Sequence, residues 1–327
     1  MTALRVAFAG LAHSHPFSDA SSIEVCRAQG AEVEFVGVYD ADEEKRADFA
    51  ERFACVETRS FEDLATRNPD LVIATPRPSE TARVATVLLR ETSAVVFFNK
   101  VIAATDAHLA EWQEAVSSAP ERVGTSSVLR FAPAIAALAE RISDVEVWSI
   151  RVLAQHDIDM FLAPDRRWQD DPTVGGGTLV TVGLHAWEMI GRLLPDAVLD
   201  SGVTGWIQRS PQARTQSEQT AQMSGTLRLL DGRRVPYSVL VAGVPGPEVY
   251  AIDVLTSNGM RSVRLSSSSP EESLGFKELA VALLRKAEQG LVVAPWSTAR
   301  PIVTNTIRAA QALRGSTRTE MSQRNVY

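Results

Sequence analysis

Leu4-Arg5-Val6-Ala7-Phe8-Ala9-Gly10-Leu11-Ala12-His13-Ser14-His15-Pro16 is the stretch on which the fold turns. A short apolar run stops at a glycine, and a proline then stands where a helix tolerates one, in its first turn. Strand, tight turn and helix in that order open a βαβ unit. The same alternation repeats along the chain. A helix is expected over 16–29, an apolar strand over 33–39 ending in Asp40, and a charged helix over 42–53. A strand over 70–74 stops at Thr75-Pro76, and a helix follows over 80–91. A fully apolar strand over 94–98 stops at Asn99-Lys100, before a helix over 105–117 with Thr105 as N-cap. Strands apolar on both faces and separated by helices predict a parallel sheet covered on both sides.

Beyond about residue 143 the pattern changes. Strand 145–154 and helix 178–194 precede several long strands over 199–266, with turn signals at Asp231-Gly232 and Asn258-Gly259. Two helices close the chain, over 273–289 and 298–314. The expected fold class is α/β: a doubly wound parallel domain over 1–125, then an α+β domain over 126–327 with an open, mostly antiparallel sheet. The final helices are expected to return to the first domain. At 327 residues the chain exceeds what one core usually fills.

Composition narrows the function classes. A net charge of -7 and a pI near 5.4 exclude nucleic acid as the expected partner, since phosphate binding needs a basic face. No apolar run reaches the roughly 18 residues of a membrane span, and the N-terminus lacks the regions of a signal peptide. Cys26 and Cys55 follow no motif spacing and read as reduced. The expected location is cytoplasmic. Four lysines (Lys45, Lys100, Lys277, Lys286) stand among 33 basic residues, so each is worth inspecting.

Gly10, Leu11, Ala12, His13, Ser14 and His15 lie where a dinucleotide's pyrophosphate meets free N–H groups at a helix N-terminus. The glycine spacing is degraded, with Ala12 second and His15 third, so a plain strand-to-helix turn remains an open reading. Asp40, 25 positions after His15, stands where a carboxylate accepts from ribose hydroxyls. A carboxylate there repels a 2′-phosphate, which favours NAD over NADP; a solvated turn aspartate is the plainer alternative. His13-x-His15 also suits a divalent metal, but the further ligands such a site needs are not evident, and no metal is expected.

Lys100 ends a parallel strand, at the edge where such sheets bind ligands. In helix 178–194 the polar residues Thr178, Thr181, His185, Glu188 and Arg192 are spaced by three or four and form one stripe on an otherwise apolar helix. His185 is suited to take a hydroxyl proton near neutral pH. A core histidine satisfied by Glu188 is the rival reading. Arg77, His156, Asp157 and Trp168, with Arg166 or Arg167, are weaker candidates for a substrate pocket.

The ordered set of pieces resembles the glucose–fructose oxidoreductase / inositol dehydrogenase family, also written Gfo/Idh/MocA. Ala9-Gly10-Leu11-Ala12 stands at the phosphate loop. Asp70-Leu71-Val72-Ile73-Ala74-Thr75-Pro76 looks like the family's fourth strand and its Thr-Pro ending. Asn99-Lys100-Val101 stands for Glu-Lys-Pro. The run from Gly175 to His185 resembles Gly-Gly-Gly-x-x-x-Asp-x-Gly-x-His. The resemblance implies a Rossmann domain, bound NAD(H) or NADP(H), and hydride transfer at a hydroxyl or carbonyl carbon of a sugar, cyclitol or related polyol. It implies a homodimer or homotetramer packed through the open sheet. Lys100 and His185 take the catalytic roles, with Thr181 positioning the substrate oxygen and Thr75-Pro76 beside the cofactor.

The chain departs from that pattern at the phosphate loop, which has lost two glycines, and in three further places. Thr181 replaces the aspartate and carries no charge; Glu188, Asp157 and Asp159 are the candidate carboxylates to compensate. Asn99 replaces the glutamate. Val101 replaces the proline, so a trans bond is expected after Lys100. These departures keep a second function open: a non-catalytic relative that binds a dinucleotide or sugar as a sensor or partner subunit.

Overall fold

The computed structural model describes residues 3–324 except 201, 211 and 269–272, with side chains described through residue 316. The chain divides into two compact units. One contains the described residues up to 103, with 107–128 and 275–299; the other contains 104–106, 129–274 and the described residues from 300 on.

In the first unit the elements run β1 (Leu4–Ala9), α1 (His15–Ala28), β2 (Val33–Tyr39), α2 (Glu43–Phe53), α3 (Phe61–Ala65), β3 (Leu71–Ala74), α4 (Thr81–Glu91), β4 (Val95–Asn99), α5 (Asp106–Ala115) and β5 (Val123–Ser126). Asp42 caps α2 by accepting from the Lys45 N–H, and Ser60 caps α3 by accepting from that of Asp63. The sheet order is β2-β1-β3-β4-β5, and every pairing is parallel. Val6, Phe8, Ile73, Val96, Phe97 and Phe98 are fully buried. Each such side chain stabilises the sheet by about 1.5–3 kcal/mol. Strand order reverses at β1, which places the crevice of this sheet at the carboxyl ends of β1 and β3. The stretch 70–74 is therefore the third strand of the chain, not a fourth: residues 54–60 contribute only an isolated bridge, Val38 to Glu57, and lead into α3.

The second unit runs α6 (Pro133–Ile142), β6 (Val147–His156), α7 (Gly177–Thr181), α8 (Gly183–Leu193), β7 (Val198–Leu199), β8 (Thr204–Gln208), β9 (Thr220–Arg228), β10 (Arg234–Gly243), β11 (Val249–Thr256) and β12 (Gly259–Ser266). Its sheet order is β12-β11-β6-β10-β9-β7, with β8 also on β9. All pairings are antiparallel except β6 with β10. Val239, Val152, Ile252 and Val263 form a buried row on one face. On the other face Trp206, Gln222, Leu240, Leu153, Ala251 and Arg264 stand side by side.

The chain then returns to the first unit as α9 (Phe276–Ala287), which packs on α1. Residues 293–295 lie along the free edge of β5: the Thr125 N–H donates to the Ala294 carbonyl, and Gly124 pairs with Pro295. The last helix, α10 (Trp296–Arg324), starts in the first unit with Trp296 against Trp112 and continues in the second.

Candidate functional site

The residues singled out in the first unit gather at the carboxyl ends of its strands. Gly10 closes β1 at φ +86°, and a Cβ there would sit 2.9 Å from the Pro76 nitrogen and 3.0 Å from the Thr75 carbonyl oxygen. Only glycine lets the turn after β1 pass so close to the end of β3. The Ala12 N–H then donates to the Thr75 carbonyl at 3.0 Å. Asp40, at the end of β2, accepts from the Leu11 N–H through Oδ2 and from the Asp42 N–H, at 2.8 Å, through Oδ1. Its carboxylate thus faces the turn, with lone pairs left for further donors. Helix α1 begins with Ser14 as its N-terminal residue outside the helix and no acidic group in its first turn, so its positive end meets no carboxylate of its own.

His13 is 8% exposed and sits between this turn and β4. Its Nδ1 accepts from the His15 N–H at 3.2 Å, and its Nε2 lies 3.0 Å from the Lys100 carbonyl oxygen. The two bonds together require the neutral ring with its proton on Nε2. His15 also packs its ring on His13 and on Phe276 of α9. Lys100 is 8% exposed, at the end of β4. The expected trans bond after it is corrected: the Lys100–Val101 peptide is cis, and its carbonyl is the one that His13 meets. Arg77 is exposed, and the structure gives it no role beyond backbone bonds to Glu80 and Thr81.

One group in this region escaped the sequence reading. Asp19, on α1 and 2% exposed, accepts from the Asn99 side-chain amide at 2.7 Å, and the same amide donates to the Thr75 hydroxyl at 3.0 Å. Burial pushes the Asp19 carboxyl up to about 7, against the lowering effect of the Asn99 bond. Its position one turn inside a helix carried no signal, because a short polar residue there usually faces water.

In the second unit the expected helix 178–194 is two pieces that meet at Val182. There the hydrogen-bond ladder tightens, with the His185 N–H donating to the Val182 carbonyl three residues back. The preceding turn is fixed from several sides. Gly176 has φ +91°, and its carbonyl accepts from the Arg314 guanidinium at 2.6 Å. Arg314 and Arg209 also hold Glu218, which is fully buried and accepts from the Leu179 N–H. Burial opposes ionisation of Glu218, but the two guanidiniums outweigh it and keep the carboxyl below its usual range.

Thr181 and His185 are both buried on this unit. The Thr181 hydroxyl donates to the Gly175 carbonyl at 3.1 Å. The His185 ring packs on the Tyr250 ring with centroids 4.9 Å apart. Tyr250 donates to one oxygen of Glu248 at 3.1 Å, and the other oxygen lies 2.8 Å from Nε2 of His156. Burial, and then Glu248, raise the Tyr250 phenol well above its usual value, so it stays protonated. His156 is thus linked to His185 through Glu248 and Tyr250, two residues of β11 and its approach that no local pattern marks out. Of the candidate carboxylates, Glu188 pairs with Arg130 at 3.4 Å, Asp157 accepts from the Asp159 N–H, and Asp159 is exposed. Arg166 donates to Gln169, and the indole N–H of Trp168 is buried with no hydrogen-bond acceptor. Among the described residues no group of His, Cys, Asp and Glu has the geometry of a metal site. No helix among them is long and apolar enough to cross a membrane.

No family model matches the sequence, and no curated protein is similar to it. Solved structures do share the fold. Myo-inositol 2-dehydrogenase from Lactobacillus plantarum superposes with a TM-score of 0.77 at 14% identity, over 98% of both chains. GenD2 from gentamicin A biosynthesis, in complex with NAD, gives 0.74 at 17% identity, over 96% of this chain and 95% of that one. Biliverdin reductase from Synechocystis sp. PCC 6803, in complex with biliverdin and NADP+, gives 0.66 at 14%, over 94% and 98%.

Proposed function

We propose that the protein is an NAD-dependent oxidoreductase that moves hydride between the nicotinamide and a hydroxyl or carbonyl carbon of a sugar, cyclitol or related polyol. The observation that carries this reading is the crevice of the parallel sheet, where Gly10, Asp40, Thr75-Pro76 and Lys100 converge at strand ends beside the N-terminus of α1. The residues suit a dinucleotide. Gly10 lets the turn after β1 pass close over the end of β3, the first turn of α1 has no acidic group to repel a phosphate, and the Asp40 carboxylate suits ribose hydroxyls better than a 2′-phosphate. Structures of the same fold hold NAD in one case and NADP+ in another.

When bound, the nicotinamide supplies the hydride acceptor. The turn of Gly10, Leu11, Ala12, His13, Ser14 and His15 would hold the pyrophosphate; the N–H groups of Gly10, Leu11, Ala12 and His15 are spent on Tyr39, Asp40, Thr75 and His13, so its contacts fall to the rest of the turn and the positive end of α1. Lys100 donates from its ammonium to the reacting oxygen, and His185 takes the hydroxyl proton. Thr181, its own proton held by the Gly175 carbonyl, accepts from a neighbouring substrate hydroxyl and so orients the polyol. His156, Asp157 and Trp168 belong to the substrate side. The open sheet face that carries Trp206, Leu240 and Leu153 is the dimer or tetramer contact, and the protein works in the cytoplasm.

Absorbance at 340 nm during incubation with NAD and a polyol panel tests the reading. Turnover that disappears in both Lys100→Ala and His185→Ala supports it. Tight NAD binding with no turnover across the panel supports the second reading, a non-catalytic binder, which the neutral Thr181 favours.

A further inference from the structure

Two hydrogen bonds tie the end of β4 to the N-terminal part of α1 and the turn before it. One runs from the Asn99 amide to Asp19, and the other from the His13 ring to the Lys100 carbonyl. They flank Lys100 on consecutive residues, one through a side chain and one through the backbone. Asn99 is 4% exposed and Thr75 is fully buried, so the amide has no water to fall back on. An amide with its two protons spent on a carboxyl and a hydroxyl cannot rotate without leaving both unmet, at a cost typical of buried polar groups. His13 is equally committed, since its two ring nitrogens serve different partners.

We propose that Asp19, acting through Asn99, and His13, acting through the Lys100 carbonyl, are positioning residues that make the placement of Lys100 depend on the dinucleotide turn. The proposal rests on the oxidoreductase reading for its catalytic consequence, but its structural content is independent of turnover. The turn that meets the pyrophosphate and the strand end that presents the ammonium move as one piece. A shift in one is passed to the other over two bonds, with no mobile loop between them.

The scarcity of lysine provides the probe. Selective ¹⁵N-lysine labelling gives one backbone amide signal for each of Lys45, Lys100, Lys277 and Lys286, and Lys100→Arg identifies that of Lys100. Asn99→Asp places two carboxyls against each other, and Asp19→Leu and His13→Leu each delete one bond. Each is expected to move the Lys100 signal while leaving Lys45, on α2, in place. Asp19→Asn combined with Asn99→Asp restores the pair with donor and acceptor exchanged, and is expected to return the signal towards its original position. Adding NAD to the wild type is expected to move the Lys100 signal, and to move it less in His13→Leu. In turnover, Asp19→Leu and Asn99→Asp are expected to lose about tenfold to a hundredfold in kcat with NAD affinity little changed, as a misplacement of one reacting group does, whereas His13→Leu, within the turn itself, is expected to weaken NAD binding as well. A Lys100 signal that ignores Asp19→Leu and His13→Leu, or a swapped pair no better than Asn99→Asp alone, overturns the proposal. Absence of turnover in the wild type with these shifts intact defeats the oxidoreductase reading and leaves the coupling standing.

Discussion

Replacing Asp19 by asparagine is expected to make the protein more stable at pH 8 than at pH 5 relative to wild type, and the size follows from burial. In the unfolded chain the carboxyl titrates near 3.8; in the folded protein burial raises it to about 7. Between those values the folded state holds a proton that the unfolded state has released. Stability therefore falls as pH rises through this window and levels off above it. At about 1.36 kcal/mol per pH unit, the full window is worth roughly 4 kcal/mol, and the part between pH 5 and pH 7 roughly 2.7 kcal/mol. The introduced asparagine does not titrate. It keeps a carbonyl oxygen for the Asn99 amide, and whatever its new NH₂ costs is the same at every pH. Urea unfolding of both proteins at pH 5, 6, 7 and 8 measures the difference, with the slope separated from the constant offset. A difference that stays flat over this range, or that turns against asparagine as pH rises, refutes the argument that Asp19 is held in a dry, cation-poor setting.

Gly10→Ala is expected to destabilise by about 1–3 kcal/mol and to abolish NAD binding, because the new methyl meets the Thr75–Pro76 backbone at a positive φ; calorimetric titration with NAD checks it. Arg314→Met leaves the buried Glu218 half compensated and is expected to cost about 3–5 kcal/mol, read by thermal melting. Glu218 is held below its usual range, so its contribution is present above pH 4.5 and lost as pH falls further; the Arg314→Met deficit is expected to shrink on acidification. Leu240→Arg on the open sheet face is expected to lower the mass seen by light scattering to the 35.5 kDa of one chain.

Much of the parallel half was legible because its evidence is local. Apolar runs at 4–9, 33–39 and 94–98 are too short for helices and apolar on both faces, and each is followed by a helical stretch with its own start signal. What the sequence concealed depends on residues far apart. The parallel pairing of β6 with β10 cannot be read from hairpin turns, which report only neighbours. Helix α6 has little beyond Pro133 in its first turn to announce it. Lys100 and the glycine turn announced themselves by position at strand ends. Asp19 did not, since its hydrogen-bond partner, Asn99, lies eighty residues away. Glu248 and Tyr250 reach His185 and His156 only once β11 lies beside β6.

The return of residues 275–299 to the first unit has a consequence for synthesis of the chain. The edge of β5 and the outer side of α1 are completed by a segment made after the whole second sheet. At about 5–20 residues per second, a ribosome needs roughly 7–30 s to cross the intervening stretch. Throughout that interval the nascent parallel sheet carries an unprotected margin at Gly124 and Thr125, a natural landing place for a holding chaperone and a poor point at which to stall translation.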